Sequence, residues 1–187
     1  LKSLNMYELF KKVEMPLIDV LVWMEKTGIK VDADYLKQLN EKFSEELDEI
    51  VNKIYSLTGE VFNLNSPSQV SEILFNKLKL PVIKKTKTSY ATDIYVLKQL
   101  SFLHPVPKLL LEYRELFKIK STYIEGLLNS INKKTGRIHP TYSQISTSTG
   151  RLSCSNPNLQ NLPVKSQKGG LIRKSFCAEK NNFLFSF

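Results

Sequence analysis

Between Ala33 and Leu57 the apolar residues Leu36, Leu39, Phe43, Leu47, Ile50, Ile54 and Leu57 recur three and four apart, with Glu and Lys between them. That spacing sets them on one narrow stripe of a helix. Asp32 stands where a side-chain cap would start it, and Thr58-Gly59 stops it. At about 1.5 Å per residue such a helix runs ~37 Å, and its stripe needs a partner helix along its length. The chain offers one after His104-Pro105, where Leu109, Leu110, Tyr113, Leu116, Phe117, Ile124, Leu127 and Leu128 keep helical spacing. The two runs predict a pair of long antiparallel helices.

Shorter elements surround this pair. Pro16 to Thr27 carries Leu17, Val20, Leu21 and Met24 at helical spacing, Gly28 closes it, and Ile29-Lys30-Val31 forms an extended link. Ser66, Pro67 and Gln69 read as a capping box with proline at the first helical position, predicting a short helix to Leu78 that Pro81 ends. Ile83 to Tyr90 is basic and hydroxyl-rich without apolar periodicity, a surface loop, and a second short helix begins near Thr92-Asp93. Beyond Lys133, Thr135-Gly136 makes a turn and Arg137 to Tyr142 alternates in the manner of a strand. The stretch that follows is polar, rich in Ser, Thr, Asn, Gln and Gly, and free of repeats, which suits a binding surface. Trp23 and the helix phenylalanines are expected in the core. His104 and His139 lack partners at catalytic or ligand spacing and read as capping or strand-end residues.

The formal net charge of +9 is unevenly spread. Residues 1–60 hold twelve Asp and Glu against eight Lys, whereas the remainder holds nineteen Lys and Arg against six acids. No acid lies between Glu125 and Glu179, where Lys133, Lys134, Arg137, Arg151, Lys165, Lys168, Arg173 and Lys174 are found. Such a field attracts a polyanion, with nucleic acid the default; a basic surface kept for solubility is the plain alternative. The acids Asp32, Asp34, Glu41, Glu45, Glu46, Asp48 and Glu49 interleave with lysines on or beside the first long helix, the pattern of a solvated face. Cys154 and Cys177 have no disulfide or zinc spacing, which points to a reducing, intracellular setting. No apolar run approaches the roughly 20 residues that span a bilayer, and a sequence beginning at Leu1 reads as an internal segment.

Thr149 to Val164 reads TGRLSCSNPNLQNLPV. It is accompanied, in order, by MPLIDVLVWMEKTGIKVD at Met15 to Asp32, FNLNSPSQVSEILF at Phe62 to Phe75 and YRELFKIKSTYI at Tyr113 to Ile124. TGRIHP at Thr135 to Pro140 and IRKSFCAE at Ile172 to Glu179 complete the series. On these motifs the chain resembles family A DNA polymerases of the bacterial DNA polymerase I type, over the thumb and the N-terminal part of the palm.

The resemblance implies a mainly α fold with a small β part. Residues 1–12 would leave a preceding exonuclease-type domain, 13–31 would lie along the palm, 32–131 would form a helical thumb with short tip helices, and 132–187 would open the palm. Members continue from a segment similar to Phe183 to Phe187 into an Asp-Tyr-Ser-Gln motif, so the chain is expected to stop before the first catalytic aspartate. No catalytic, cofactor-binding or metal-binding residue is then expected within it. Magnesium and deoxynucleoside triphosphates would belong to a parent DNA-directed DNA polymerase, monomeric, cytoplasmic and not membrane-bound.

What remains for these residues is to hold primer-template DNA. Arg151, Gln160 and Asn161 carry flexible donors in a Gly- and Ser-rich surface, and the minor groove presents purine N3 and pyrimidine O2 acceptors at every correct pair. By resemblance Arg151 meets the minor groove at the primer terminus, with Asn158, Gln160 and Asn161 on the duplex near it. Lys118, Lys120 and Ser121 would clamp phosphates, and Thr149, Ser153, Lys165 and Arg173 complete the DNA-binding set. The plain readings are turn stabilisation after Pro157 for Asn158, Gln160 and Asn161, and ordinary exposed helix lysines. The thumb tip, Ser66 to Gln69 and Lys84 to Thr92, departs from the family. Many members have Gly-Tyr-Ser-Thr-Asp where this chain has Ser89-Tyr90-Ala91-Thr92-Asp93, which puts contacts at Ser89 and Ala91 in question. A stand-alone nucleic-acid-binding module and a helical interaction domain with incidental charge are the rival readings.

Overall fold

The computed structural model describes residues 1–86, 89–163 and 166–185. Its helices are α1 (Tyr7–Leu9), α2 (Met15–Thr27), α3 (Ala33–Thr58), α4 (Pro67–Ser71), α5 (Ile94–Leu100), α6 (Pro105–Lys118), α7 (Glu125–Ser130) and α8 (Gln167–Arg173). The short strands are β1 (Ile29–Lys30), β2 (Arg137–Ile138), β3 (Thr141–Ser143) and β4 (Ser153–Ser155). The chain divides into two compact units, one formed by Leu39–Ser121 and the other by Leu1–Gln38 with Thr122–Phe187.

The Leu39–Ser121 unit is helical and built on α3 and α6. Leu39, Phe43, Leu47 and Ile54 of α3 are buried, as are Val106, Leu110, Tyr113 and Leu116 of α6. Residues Glu49 to Leu57, late in α3, share a shallow groove with Leu109, early in α6, so the two helices run antiparallel. The expected stripe departs from its line at the end, because Leu57 is 45% exposed and Thr58 is buried instead. A strict three-four repeat drifts about 20° per heptad on a straight helix, so that after three heptads Leu57 has rotated off the line through Leu36 and Ile54. Thr58 satisfies its hydroxyl by donating to the Ile54 carbonyl at 2.9 Å.

The returning helix is interrupted by a π-helical turn at Ile119–Ile124. Ile119 and Ile124, five residues apart, are both buried. The i to i+5 turn adds the residue that brings them to the same side, which a strictly α-helical spacing does not anticipate. Asp32 starts α3 by accepting the Tyr35 N–H at 2.9 Å, and Asp93 starts α5 by accepting that of Val96 at 3.1 Å, both as expected. Ser66 caps α4 at 3.5 Å, but Gln69 does not return the bond to Ser66; its Oε1 takes the Asn63 N–H at 2.6 Å. Half of the expected capping box therefore braces the loop before the helix.

In the other unit β1 pairs antiparallel with β2, placing Ile29 opposite Ile138, and β3 pairs antiparallel with β4, placing Tyr142 opposite Cys154. The strand expected from Arg137 to Tyr142 is thus two strands with different partners, broken at His139-Pro140, where proline withdraws an N–H from the ladder. Leu21 is the buried apolar residue of α2, whereas Trp23 is 67% exposed, correcting its placement in the core. Phe102, at 86%, and Phe117 are also outside, while Phe43, Phe62 and Phe75 are buried. Helix α2 carries apolar residues nearly all round, so burying the Leu21 side leaves Val20, Val22 and Trp23 open.

Leu116 is fully buried in α6. Leu116→Ala is expected to lower unfolding free energy by about 2–5 kcal/mol in urea denaturation, against a small change for Leu57→Ala. Equal losses at both positions would contradict this account of the seam.

Candidate nucleic-acid interface

The polar segment after β3 is shaped by side-chain hydrogen bonds rather than by regular structure. Ser146 donates to the Ser143 hydroxyl at 2.7 Å, and Thr147 donates to the Arg151 carbonyl at 2.5 Å. Gly150 takes a positive φ of 73° in the turn between them. At the base of the loop, Gln144 donates to the Glu14 carbonyl at 3.0 Å. The turn leaves Thr149 and Arg151 exposed and Ser153, in β4, half-buried. The Arg151 guanidinium has no hydrogen bond or ion pair with the described residues.

Past β4 the chain reverses through Asn156, at φ 56°, and a cis Asn156-Pro157 bond. Asn158 Oδ1 then accepts the Gln160 N–H at 3.0 Å, and the Gln160 side-chain amide donates to the Leu152 carbonyl at 3.1 Å. Both residues therefore serve the turn, in line with the plain reading, while the Asn158 amide hydrogens and one of those on Gln160 have no partner among the described residues. Asn161 makes no side-chain hydrogen bond among the described residues. Asn158 and Asn161, with Thr122, Tyr123 and Gly126 from the run into α7, line a groove of about 210 Å³.

The far side of this segment rests on α8. Ser166 caps that helix by accepting the Gly169 N–H at 3.1 Å, and a Cβ added at Gly169 would lie 2.6 Å from the Pro163 carbonyl oxygen. Arg173 is exposed in the last turn of α8. Lys165 lies outside the described residues.

A second layer of bonds fixes the strands. Arg137 donates through Nε to the Thr27 carbonyl at 2.7 Å and through Nη2 to the Gly28 carbonyl at 3.1 Å, and pairs through Nη1 with Glu179 at 2.7 Å. This arginine is committed to the last carbonyls of α2 and to an acid, so it is removed from the free positive charge that composition alone assigns to it. His139 has Nδ1 2.8 Å from the Glu25 carbonyl and Nε2 2.8 Å from the Thr135 hydroxyl, the strand-end role expected. His104 caps α6, its Nδ1 accepting the Val106 N–H at 3.2 Å. The Glu25 carboxylate takes the Tyr142 N–H at 2.7 Å. Burial, with Cys154 and Glu25 nearby, pushes the Tyr142 phenol above its ordinary pKa, so it stays neutral.

Lys118, Lys120 and Ser121 belong to the Leu39–Ser121 unit. Lys118 is exposed at the end of α6, and Lys120 and Ser121 lie in the π-helical turn. Ser121 donates to the Phe117 carbonyl at 2.7 Å, so it meets a ligand only as an acceptor while that bond holds. At the tip, Ser89 donates to Ser71 at 3.1 Å, and Ala91 is buried. Arg114, half-buried on α6, donates from Nη1 to the Thr92 carbonyl and from Nη2 to the Thr92 hydroxyl at 3.3 Å. Neither charge nor spacing marks Arg114, and Arg137 enters the sequence reading only as one cation of the acid-free stretch. In the sequence Arg114 stands within the YRELFKIKSTYI motif as a cation set among Tyr113, Leu116 and Phe117.

The sequence profile of DNA polymerase family A matches residues 33–187. The chain belongs to this family. It is 52% identical over 176 residues, 94% of its length, to the DNA polymerase I of Caldicellulosiruptor bescii, and 44% identical over 184 residues, 98% of its length, to that of Bacillus subtilis. It spans about a fifth of those relatives, 21% of each. Among solved structures it is similar to the POL domain of Pol1 from M. smegmatis in complex with DNA primer-template and dNTP. That likeness has a TM-score of 0.85 at 39% identity, covering 94% of this chain and 31% of that one. The family assignment and the mainly α fold with a small β part agree with the reading of the motifs.

Gly169 and Gly170 sit side by side in α8, but a Cβ at Gly170 meets nothing within 4 Å. Gly169→Ala is expected to cost about 1–3 kcal/mol of stability, because it presses on Pro163 behind the Asn158–Asn161 turn. Gly170→Ala is expected to be neutral or stabilising by up to about 1 kcal/mol. Thermal melts of the two variants give the comparison, and matching shifts would contradict the contact.

Proposed function

We propose that these residues hold primer-template duplex in a DNA-directed DNA polymerase, through donors to the minor groove and cations to the phosphates. The observation that carries the reading is Arg151, an exposed guanidinium without an internal partner among the described residues, on a braced turn beside the groove lined by Asn158 and Asn161. It lies in a stretch without a single acid from Gly126 to Ala178. The M. smegmatis domain, described with DNA primer-template and dNTP, supports the same partner.

The division of labour follows from the donors. Arg151, Asn161 and the remaining amide hydrogens of Asn158 and Gln160 suit the acceptors that every correct base pair offers in the minor groove, so they test pair geometry without reading sequence. Lys118, Lys120 and Arg173 supply charge for phosphates, which sets register and makes binding salt-dependent. Thr149 and Ser153 add hydroxyls beside Arg151, and Ser121 acts through its lone pairs.

The parent enzyme we infer is monomeric and cytoplasmic and transfers nucleotides with magnesium. The residues present do not make a site for that metal: no three His, Cys, Asp or Glu side chains converge among the described residues. Asp34 pairs with Lys37 at 3.0 Å and Glu49 with Lys53 at 3.6 Å on the exposed side of α3. We assign the chemistry to other parts of the parent, and these residues to the grip.

Binding of primer-template duplex across a salt series tests this. Arg151→Ala with Lys118→Ala is expected to weaken low-salt binding by roughly 100-fold or more, from the usual worth of two hydrogen bonds to charged groups. The unaltered chain is expected to bind A·T-rich and G·C-rich duplexes alike. No binding at low salt, or binding indifferent to the double substitution, would overturn the assignment. With magnesium and labelled deoxynucleotides, the 187-residue chain is expected to incorporate none.

A further inference from the structure

Resting on this DNA-holding reading, we propose that Arg114 is a positioning residue that pins the tip loop beginning at Lys84 to α6, so that Lys85 is presented to the DNA backbone. Arg114 does not act as a free cation. Its two Nη groups both donate to Thr92, one to the carbonyl and one to the hydroxyl, and Thr92 is only 7% exposed. Burial pulls the guanidinium below its ordinary pKa, an effect that nearby Asp93 opposes. A cation held under that penalty gains from the two bonds that a planar fork can make at once.

Thr92 is the far post of the loop. The residue before it, Ala91, donates its N–H to the Lys84 carbonyl at 2.9 Å. The residue after it, Asp93, caps α5 and pairs with the Lys84 ammonium at 3.2 Å. Holding Thr92 therefore holds Lys84 from both backbone and side chain, and Lys85 follows Lys84 into solvent without a hydrogen bond from its own ammonium among the described residues. On the opposite side the loop is clasped by the Ser89 to Ser71 bond and by Tyr90 set edge-on to Phe75, with ring centroids 5.2 Å apart. Those clasps hold the tip to α4 and its continuation. Among the described residues, Arg114 ties it to α6, the helix that also carries Lys118.

This makes Lys85 depend on Arg114 and leaves Lys118 independent, since Lys118 is carried by the helix itself. The slope of log affinity against log salt measures each phosphate contact, with one lost cation lowering it by about 1. In the full chain, Lys85→Ala is expected to lower the slope by about 1, but to change it by close to 0 when Arg114→Ala is already present. Lys118→Ala is expected to lower it by about 1 in both backgrounds. Amide exchange at Ala91 is expected to quicken in Arg114→Ala while exchange in the middle of α3 does not. If Arg114→Ala fails to fold by circular dichroism, Arg114→Lys, which keeps the charge but not the fork, enters the same comparison. Equal effects of Lys85→Ala in both backgrounds, or none in either, overturn the proposal. So does a Lys118 effect that also vanishes, because global loosening would then be the cause. A chain that binds no duplex in any background overturns the DNA-holding reading, and this inference with it.

Discussion

In a folded protein most of a helix's stability comes from packing its apolar face rather than from propensity, and covering the apolar stripe of α3 supplies most of what holds it. Helix α6 provides that cover in the Leu39–Ser121 unit, and much of the unit follows from the need to bring it back antiparallel. The chain must reverse after Thr58, which Gly59 does at a positive φ of 65°. Asn65 fastens the returning loop by donating to the buried Tyr113 hydroxyl at 3.0 Å. The tip loop, with its basic residues, is then held against α6 through Arg114. The seam that makes the fold also provides the platform for the charges.

The unit containing Arg151 is held by a different device. Its strands are two or three residues long, so ladder bonds alone cannot order the polar segment between Ser143 and Pro163. Side chains substitute for them. Gln144, Thr147, Asn158 and Gln160 each satisfy a backbone group, and Arg137 and Glu25 bind the strands to the end of α2. These bonds lie mostly at the surface, and the pairing of side chains with backbone groups defines the loop where no ladder does. A surface built this way can be polar throughout and still present its donors in fixed directions.

Much of this was legible in the sequence. The seams, the caps at Asp32 and Asp93, and the motif from Thr149 to Val164 carry local signals that the structure and the family match repeat. What escaped depended on distant partners. Nothing within Arg137 or its neighbours reveals that Thr27, Gly28 and Glu179 will surround it, and the same holds for Arg114 and Thr92. The π-helical turn is invisible because nothing in the residues Ile119–Ile124 marks the inserted residue. Trp23 was misplaced because an apolar pattern that runs round a helix does not say which side is covered. The departures at Ser89 and Ala91 also become intelligible. Ser89 bonds Ser71, while Ala91 is buried, where a hydroxyl would need a partner of its own.

On the proposed function, the motif surface and the basic helix end each meet a duplex. Amide chemical-shift mapping by NMR, titrating primer-template duplex into the labelled chain, addresses this most directly. The account predicts perturbations concentrated at Thr149 to Asn161 and Lys118 to Gly126, with a weaker set at Lys84, Lys85 and Ser89. Perturbations centred instead on the acidic side of α3, around Glu41 to Asp48, or none at saturating duplex, would contradict it.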